Sequence, residues 1–440
     1  MVSMPSYSET LDYIFKLRGG EIDLKLHRVE QALSLFGHPE RSYPAFHIAG
    51  TNGKGSTAAM LHRILTAQGY RVALYTSPHM ISFTERIRVG HEEISQGKVV
   101  ELAELIRNRC AGSGIQLTYF EFVTTMALVY FSWRKVDLAV VEVGLGGRLD
   151  ATNVVLPLVS LITTISRDHE AYLGSDLPSI AREKGGIIKE HIPVVCGALP
   201  LDVRTVLAEI AESHASPIYF LSQDFSIALK NDGIFDYTGL EWKFRDLFLA
   251  LKGDYQRGNA ALALAAVELA RERFPVTERA VREGLAQVSW PGRLEEVLCA
   301  PRVILDGAHN PEGVAVLVKE IEAMVGPKKV RLLFAAMEDK DWRTMLKQLS
   351  AVAGEVVLTR VPIERSADPG KLAEAVPQGL GVNIRENPVE AIKSLLSSGE
   401  PDQPILVTGS LYLLGEIRPF LGELAENSPR ECSERPNLTR

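Results

Sequence analysis

Cysteine is scarce and scattered: four residues in 440, at positions 110, 196, 299 and 432, with no CxxC pair among them. That spacing argues against a zinc site or a disulfide framework, and four reduced thiols in a cytoplasm are the expectation. An excess of basic charge is lacking as well. Against 48 Lys and Arg stand 55 Asp and Glu, for a formal net charge of −7. Nucleic acid and anionic membranes need concentrated Lys and Arg, so neither is an expected partner. An anionic small molecule stays open, because a few backbone N–H groups and local cations can hold it. No uncharged apolar run reaches the roughly 20 residues of a membrane helix. The opening MVSMPSYSETLDYIF has no basic segment followed by an apolar core, so no secretory signal is expected. Internal repeats and low-complexity tracts are missing too.

What is present is an ordinary globular composition, 46% hydrophobic and 23% charged. The length suits two or three domains and a large core. Residues 1–45 read as amphipathic helices, with Leu11, Ile14, Phe15 and Leu17, then Val29, Leu33 and Phe36, at helical spacing. A short apolar strand at 45–49 runs into Gly50-Thr51-Asn52-Gly53-Lys54-Gly55-Ser56. A helix follows, stopping near Gly69, and 72–75 is the next strand. Apolar strands recur at VDLAVVEV (136–143), LVSLITTI (158–165) and 193–195. Such strands separated by helices imply a parallel sheet covered on both faces. Residues 225–255 alternate like hairpin strands, and 259–271 is an Ala-rich helix. After Trp290-Pro291-Gly292 a second α/β pattern begins, with strands at 303–306, 330–334, 356–358 and 405–407 and a helix at 313–324. The fold class is therefore α/β: a P-loop-type, mainly parallel sheet domain in 1–292, then a smaller Rossmann-like domain in 293–425. Residues 426–440 are polar and expected to be a disordered tail.

A glycine-rich turn between a strand and a helix surrounds an anion with unpaired N–H groups, and the helix dipole adds to the attraction. Gly50 to Ser56 supplies such a turn. Lys54 would meet the β- and γ-phosphates, and Ser56 or Thr57 would offer a hydroxyl near magnesium. The match to G-x-x-x-x-G-K-[ST] is incomplete: Ile48 stands where the first Gly would fall, and Gly55 separates Lys54 from Ser56. A plain flexible turn is the structural alternative. Glu142 ends its strand, where ligands bind in open parallel sheets, and a carboxylate there suits magnesium. Asp168-His169 follows the next strand in the same way. Glu142 could instead be a solvent-facing strand end, and His169 a structural histidine. The glycine-rich stretch 144–150 (GLGGRLD) could let a flat substrate or a phosphate approach the backbone. Residues 306–311 (DGAHNP) close the first strand of the second domain, and Lys340 lies between Asp339 and Asp341. These clusters either line a site or cap loops.

The motifs run in the order HIAGTNGKGS (47–56), TSPH (76–79), ERIRV (85–89), LTYFEFVT (117–124), EVGLGGRLDATN (142–153), DH (168–169), REKGGIIK (182–189), PGRLE (291–295), DGAHNP (306–311), DKD (339–341) and TGSLYL (408–413). In that order they resemble the folylpolyglutamate synthase and dihydrofolate synthase family of the Mur ligase superfamily, over nearly the whole chain. The resemblance implies an ATP-dependent amide ligase with its active site in an interdomain cleft. A substrate carboxylate attacks the γ-phosphate, giving an acyl phosphate and ADP. The amine of L-glutamate then attacks the acyl carbon and phosphate leaves. Activation is needed because a carboxylate is a poor electrophile; the protein mainly positions groups and stabilises developing charge.

Carried over by motif, the ATP contacts would be Gly50, Thr51, Asn52, Gly53, Lys54, Gly55, Ser56 and Thr57, with Asn259, Arg293 and Asp306. Magnesium, as two ions, would be held by Ser77, Glu142 and His169 and by Lys184. The family carbamylates that lysine within an EKAG motif, read here as EKGG with Gly185 in place of Ala. The resemblance gives Lys54, Lys184 and His309 catalytic roles and assigns His309 and Ser410 to glutamate. The folate pocket would use the 77–90 loop with Thr118, Phe120, Glu121, Asp150 and Ala151. LTYFE resembles bacterial enzymes that accept dihydropteroate as well as tetrahydrofolate, so a bifunctional, monomeric, cytoplasmic enzyme is expected. A monovalent cation is also compatible with the resemblance. The alternatives are a folylpolyglutamate synthase alone, another Mur ligase, whose loop would more usually read Gly-Lys-Thr-Thr, or an ATP-binding regulatory protein. The last would be favoured by lost site residues, yet Lys54, Glu142, His169 and Lys184 are all present.

Overall fold

The segment Ala45–Ala49 (β1) is buried at every residue, as only a strand covered on both faces can be. The computed structural model that shows this describes residues 4–19, 25–231, 233–398 and 402–426. The expected tail therefore lies, from 427 on, outside the described residues. Around β1 stand Val72–Tyr75 (β2), Ile87–Val89 (β3), Glu92–Glu93 (β4), Leu138–Glu142 (β5), Pro157–Ile162 (β6), Val194–Cys196 (β7) and Ile218–Phe220 (β8). They form one sheet in the order β4-β3-β2-β5-β1-β6-β7-β8. The pairs from β2 to β8 are parallel, and β3 and β4 add an antiparallel edge. Ile48 pairs in register with Glu142, and Ala49 with Ile162. Gly50, Val143 and Thr163 thus leave the same edge of the sheet side by side.

Side chains alternate between two cores. Ala45, Ala73, Tyr75, Ala139 and Val141 pack with the helices Tyr7–Lys16, His27–Ser34, Gln96–Gly112 and Tyr119–Trp133. Ala49, Val143 and Ile162 pack with Leu177–Gly185 and Leu201–Ser213. The helix Tyr119–Trp133 buries eleven consecutive residues from Glu121 to Phe131, so it is buried all round and has no exposed polar face to mark an amphipathic period. Ser226–Leu229 (β9), Ile234–Thr238 (β10) and Lys243–Phe248 (β11) make a separate antiparallel sheet, as their alternation predicts. Its β10–β11 turn is clasped by Glu268, a fully buried carboxylate that accepts from Tyr237 Oη at 3.0 Å and from the Trp242 N–H at 2.6 Å.

The chain divides into two compact units, one holding residues up to 250 with 254–289, the other 251–253 with residues from 290 on. In the second, Glu295–Cys299 (β12), Arg302–Leu305 (β13), Val330–Phe334 (β14), Ala353–Leu358 (β15), Gly381–Ile384 (β16) and Ile405–Thr408 (β17) form a sheet ordered β12-β13-β17-β14-β15-β16. All its pairs are parallel except β12 with β13. Cys110 and Cys196 are free and buried. Cys299, closing β12, is disulfide-bonded, which corrects the expectation of four reduced thiols. Spacing misled there because pairing depends on nearness in space. Among the described residues no helix is long and apolar enough to cross a membrane.

Candidate active site

β1 ends in a turn that only glycine can make. Gly50 has φ +145°, and a Cβ there would lie 1.9 Å from Thr163 Oγ1. Gly53, at φ +87°, precedes the helix Lys54–Ala67, which no side chain caps. The first N–H groups of that helix have no intrahelical acceptor, and they are the ready anion donors of the loop. Earlier N–H groups are already used: Thr51 donates to Thr164 O at 2.7 Å and Asn52 to Thr164 Oγ1 at 2.9 Å.

Two ammonium groups converge on one carbonyl beside this helix end. Lys54 Nζ donates to Gly50 O at 3.0 Å and to Thr51 O at 3.1 Å, and Lys184 Nζ donates to Gly50 O at 2.9 Å. Lys184 is buried. Burial first, and then the charge of Lys54, hold its pKa down to about 7, against the pull of Asp168 and Asp150. Ser56 accepts from Gln256 Nε2 at 3.2 Å, and Gln256 Oε1 in turn accepts from Asn259 Nδ2 at 2.9 Å. Asn259 also lies against Gly53, where a Cβ would come within 2.5 Å of its Oδ1. Thr57 is wholly buried, and among the described residues its hydroxyl has no hydrogen-bond partner.

Glu142 and Ser77 meet at the ends of β5 and β2, the Ser77 N–H donating to Glu142 Oε2 at 3.2 Å. Glu142 is buried, and with the Ser77 hydroxyl it offers hard oxygen donors of the kind magnesium prefers. His169 follows in the left-handed region, φ +54°, with its N–H on Asp168 Oδ1 at 2.9 Å. Among the described residues no group of three or more His, Cys, Asp or Glu is arranged for a metal. The expected set contains only two such residues, so the hydroxyl of Ser77 and a modified Lys184 would have to complete it.

The glycines of 144–150 serve close packing of protein on protein. A Cβ on Gly144 would fall 2.3 Å from the ring of Phe120, and one on Gly147 would fall 2.8 Å from the Lys184 carbonyl. Asp150 fastens the same loop, accepting from the N–H groups of Gly144, Leu145 and Thr152 at 3.0, 2.8 and 3.0 Å. Burial raises its pKa in spite of those bonds. Thr152 Oγ1 continues the chain to His47 Nε2 at 2.9 Å, and burial holds that imidazole down to about 3, hence neutral. Ala151 is buried beside it. Thr118 caps the helix Tyr119–Trp133, and Glu121 answers it while also taking a three-bond ion pair from Arg28 at 2.9 to 3.1 Å. Phe15, Phe83, Tyr119 and His79 gather close by, with the Arg18 guanidinium 4.5 and 4.4 Å over Phe15 and Tyr119.

In the second unit Asp306 is buried and binds the N–H groups of Leu294 and Ala308, each at 2.9 Å. Burial raises its pKa while Arg293 lowers it. Arg293 touches Gly307, His309 Nδ1 lies 2.9 Å from Gly307 O, and the Gly409 N–H donates to Ala308 O at 3.1 Å. Ser410 is buried after β17 and accepts from the Tyr412 N–H at 3.1 Å. Arg293, Asp306, His309 and Ser410 are thus gathered at the ends of β13 and β17. Asp341 caps the helix Trp342–Leu349 through the Thr344 N–H, the structural alternative weighed for it. Sequence reasoning missed Thr163, Thr164, Ser166 and Gln256. For Thr163 and Thr164 the signal available was polar residues interrupting the apolar run 158–165; Ser166 and Gln256 lie outside that run.

The Mur ligase middle domain family matches residues 48–267, and the Mur ligase, glutamate ligase domain family matches 292–411. A folylpolyglutamate synthase of Lacticaseibacillus casei is 36% identical over 427 residues, spanning 94% of this chain and 99% of its own. A dihydrofolate synthase/folylpolyglutamate synthase of Bacillus subtilis is 37% identical over 405 residues, spanning 89% and 94%. Among solved structures, the Mycobacterium tuberculosis folylpolyglutamate synthase complexed with ADP and AMPPCP superposes with TM-score 0.88 at 34% identity, over 95% of this chain and 99% of that one. Escherichia coli FolC in complex with DHPP and ADP gives 0.87 at 32%, over 96% and 99%.

Proposed function

From the premise that this chain belongs to the folylpolyglutamate and dihydrofolate synthase family of Mur ligases, we propose that it joins L-glutamate to folates at the expense of ATP. Dihydropteroate plus glutamate gives dihydrofolate, and tetrahydrofolates are extended in the same way. The observation that carries the reading is the open helix end at Lys54, with Lys54 and buried Lys184 converging on Gly50.

The residues divide the work. The N–H groups of Gly53 to Ser56 and the Lys54 ammonium bind the phosphates, and Lys54 moves from the loop carbonyls to the γ-phosphoryl oxygens as charge develops there. Asn259, Arg293 and Asp306 are further nucleotide contacts on this reading. Thr118, Phe120, Glu121, Asp150 and Ala151 shape the pterin pocket, and the Arg28 pair fixes Glu121 within it. His309 and Ser410 orient glutamate so that its amine meets the acyl phosphate. Bound magnesium would neutralise phosphate charge, and Glu142, Ser77 and His169 fit that task by donor type. Lys184, its pKa held down to about 7 by burial, is poised to take up CO2 as a carbamate: the neutral amine loses one proton on forming the N–C bond and the ammonium form loses two, leaving an anion beside the loop. The enzyme works as a cytoplasmic monomer.

The test is phosphate release from ATP with L-glutamate and magnesium, once with dihydropteroate and once with tetrahydrofolate. Turnover with both is expected. Turnover with tetrahydrofolate alone would reduce the activity to folylpolyglutamate synthesis. Silence with both, in folded protein that binds ATP, would overturn the reading.

A further inference from the structure

The phosphate loop is held from outside by the segment that follows β6. Thr163 Oγ1 donates to Asn52 O at 2.6 Å. Thr164 Oγ1 accepts the Asn52 N–H at 2.9 Å and approaches Asn52 O at 3.3 Å. Thr164 O takes the Thr51 N–H at 2.7 Å. The Thr51 hydroxyl closes the contact, accepting the Ser166 N–H at 3.1 Å and facing Ser166 O at 3.2 Å. Thr163 also fills the space where a side chain on Gly50 would sit.

We propose that Thr163 and Thr164 form a positioning latch for ATP: they fix Asn52 at both its N–H and its C=O, and so decide which N–H groups of the loop are left to the phosphates. The inference rests on the ATP-dependent reading above and adds the residues that shape its nucleotide site. The physical argument is one of donor supply. A loop with every N–H free could fold around an anion in several ways, and ordering it on binding would cost affinity. With the Thr51 and Asn52 N–H groups already committed, the remaining donors are those of the helix start, which point along one axis. The same segment ends at Asp168-His169, two residues past Ser166, so one short stretch of backbone sets both the loop and His169. A hydroxyl is required because Thr164 must accept and donate at one atom, which valine of the same shape cannot do.

The experiment measures ATP binding by equilibrium titration, without folate or glutamate, alongside steady-state KM values. Thr164→Val is expected to weaken ATP binding and raise the KM for ATP by about tenfold, with the KM for glutamate nearly unchanged. Thr164→Ser, which keeps the hydroxyl, is expected to restore ATP binding. If Thr164→Val does not fold, Thr164→Ala against Thr164→Ser isolates the hydroxyl instead. Thr163→Val should weaken ATP binding in the same direction. The proposal is overturned if the variants without a 164 hydroxyl bind ATP like the wild type, or if Thr164→Ser is as impaired as they are. A wild-type chain that binds ATP yet turns over no folate would sink the functional reading and leave this test standing.

Discussion

Two turns of one kind, each leading from a buried strand into a helix, differ in how the helix begins. After β1 the helix Lys54–Ala67 starts at Gly53 with no capping side chain, and two lysines stand beside it. After β13 the helix Pro311–Val325 starts at Asn310, whose side chain takes the Gly313 N–H at 2.8 Å, and Pro311 brings no N–H at all. Asp306 takes the Ala308 N–H of the same turn. One helix start carries no side-chain cap, while the other spends an N–H on Asn310. Strand–turn–helix geometry alone therefore does not make a phosphate site; withheld caps and nearby cations do. Both turns are braced from far along the chain: the first by Thr163, Thr164, Lys184, Gln256 and Asn259, the second by Gly409, whose N–H donates to Ala308 O at 3.1 Å, and by Leu411 against Gly307.

The largest effect should come from removing the cation at the open end. Lys54→Met is expected to lower kcat by roughly 10²–10³-fold, the range for losing one preorganised charge contact to a transition state. Steady-state phosphate release checks it. A drop of under about threefold would erase the distinction between the two turns.

Next come the glycines. Gly50→Ala forces a side chain into the left-handed region and onto Thr163, a short β-branched residue with nowhere to swing. A destabilisation of about 1–3 kcal/mol from backbone strain, with further loss from the clash, should appear in thermal unfolding, and ATP binding should fail with it. Gly307→Ala meets Arg293 Nη1 and Leu411 Cδ2, each at 2.4 Å, but these are the far ends of flexible side chains. It should cost less than about 1 kcal/mol. Equal costs would mean that both turns are equally rigid.

Several strands were legible because buried strands are near-continuous apolar runs: β1 and β2 in the first unit and β14 in the second fall at 45–49, 72–75 and 330–334, as the sequence predicts. The helix Tyr119–Trp133 was not, since an element buried all round has no polar face to mark its period. In the site, Lys54 and Glu142 could be read from position at strand ends. What Lys184 touches could not, because the Gly50 carbonyl is 134 residues away and only folding joins them. Asp150 could be named, but nothing in the sequence shows that its carboxylate would fasten the 144–150 loop.

A smaller effect is expected from uncapping the closed turn. Asn310→Ala should cost about 1 kcal/mol, the usual worth of a cap, and lower the unfolding temperature. The KM for ATP should stay near the wild-type value, because this helix start is assigned no phosphate. A rise in that KM comparable to that of Thr164→Val would break the contrast by giving the second turn a share in nucleotide binding.

The smallest effect is expected at Gly185 beside Lys184, where the resemblance leads one to expect Ala. A Cβ there would come 2.8 Å from Ile210 Cδ1 and 3.1 Å from Leu207 Cδ2. Those two chain ends occupy the volume that an alanine would take, so the helix Leu201–Ser213 compensates for the glycine. Gly185→Ala gains up to about 1 kcal/mol from helix propensity at the end of Leu177–Gly185 and loses a similar amount as Ile210 shifts. The net change in stability should be near zero, and kcat should hold because Lys184 keeps its bond to Gly50. A loss above about 2 kcal/mol would show that Ile210 cannot move and that the packing behind Lys184 is as rigid as that behind Gly50.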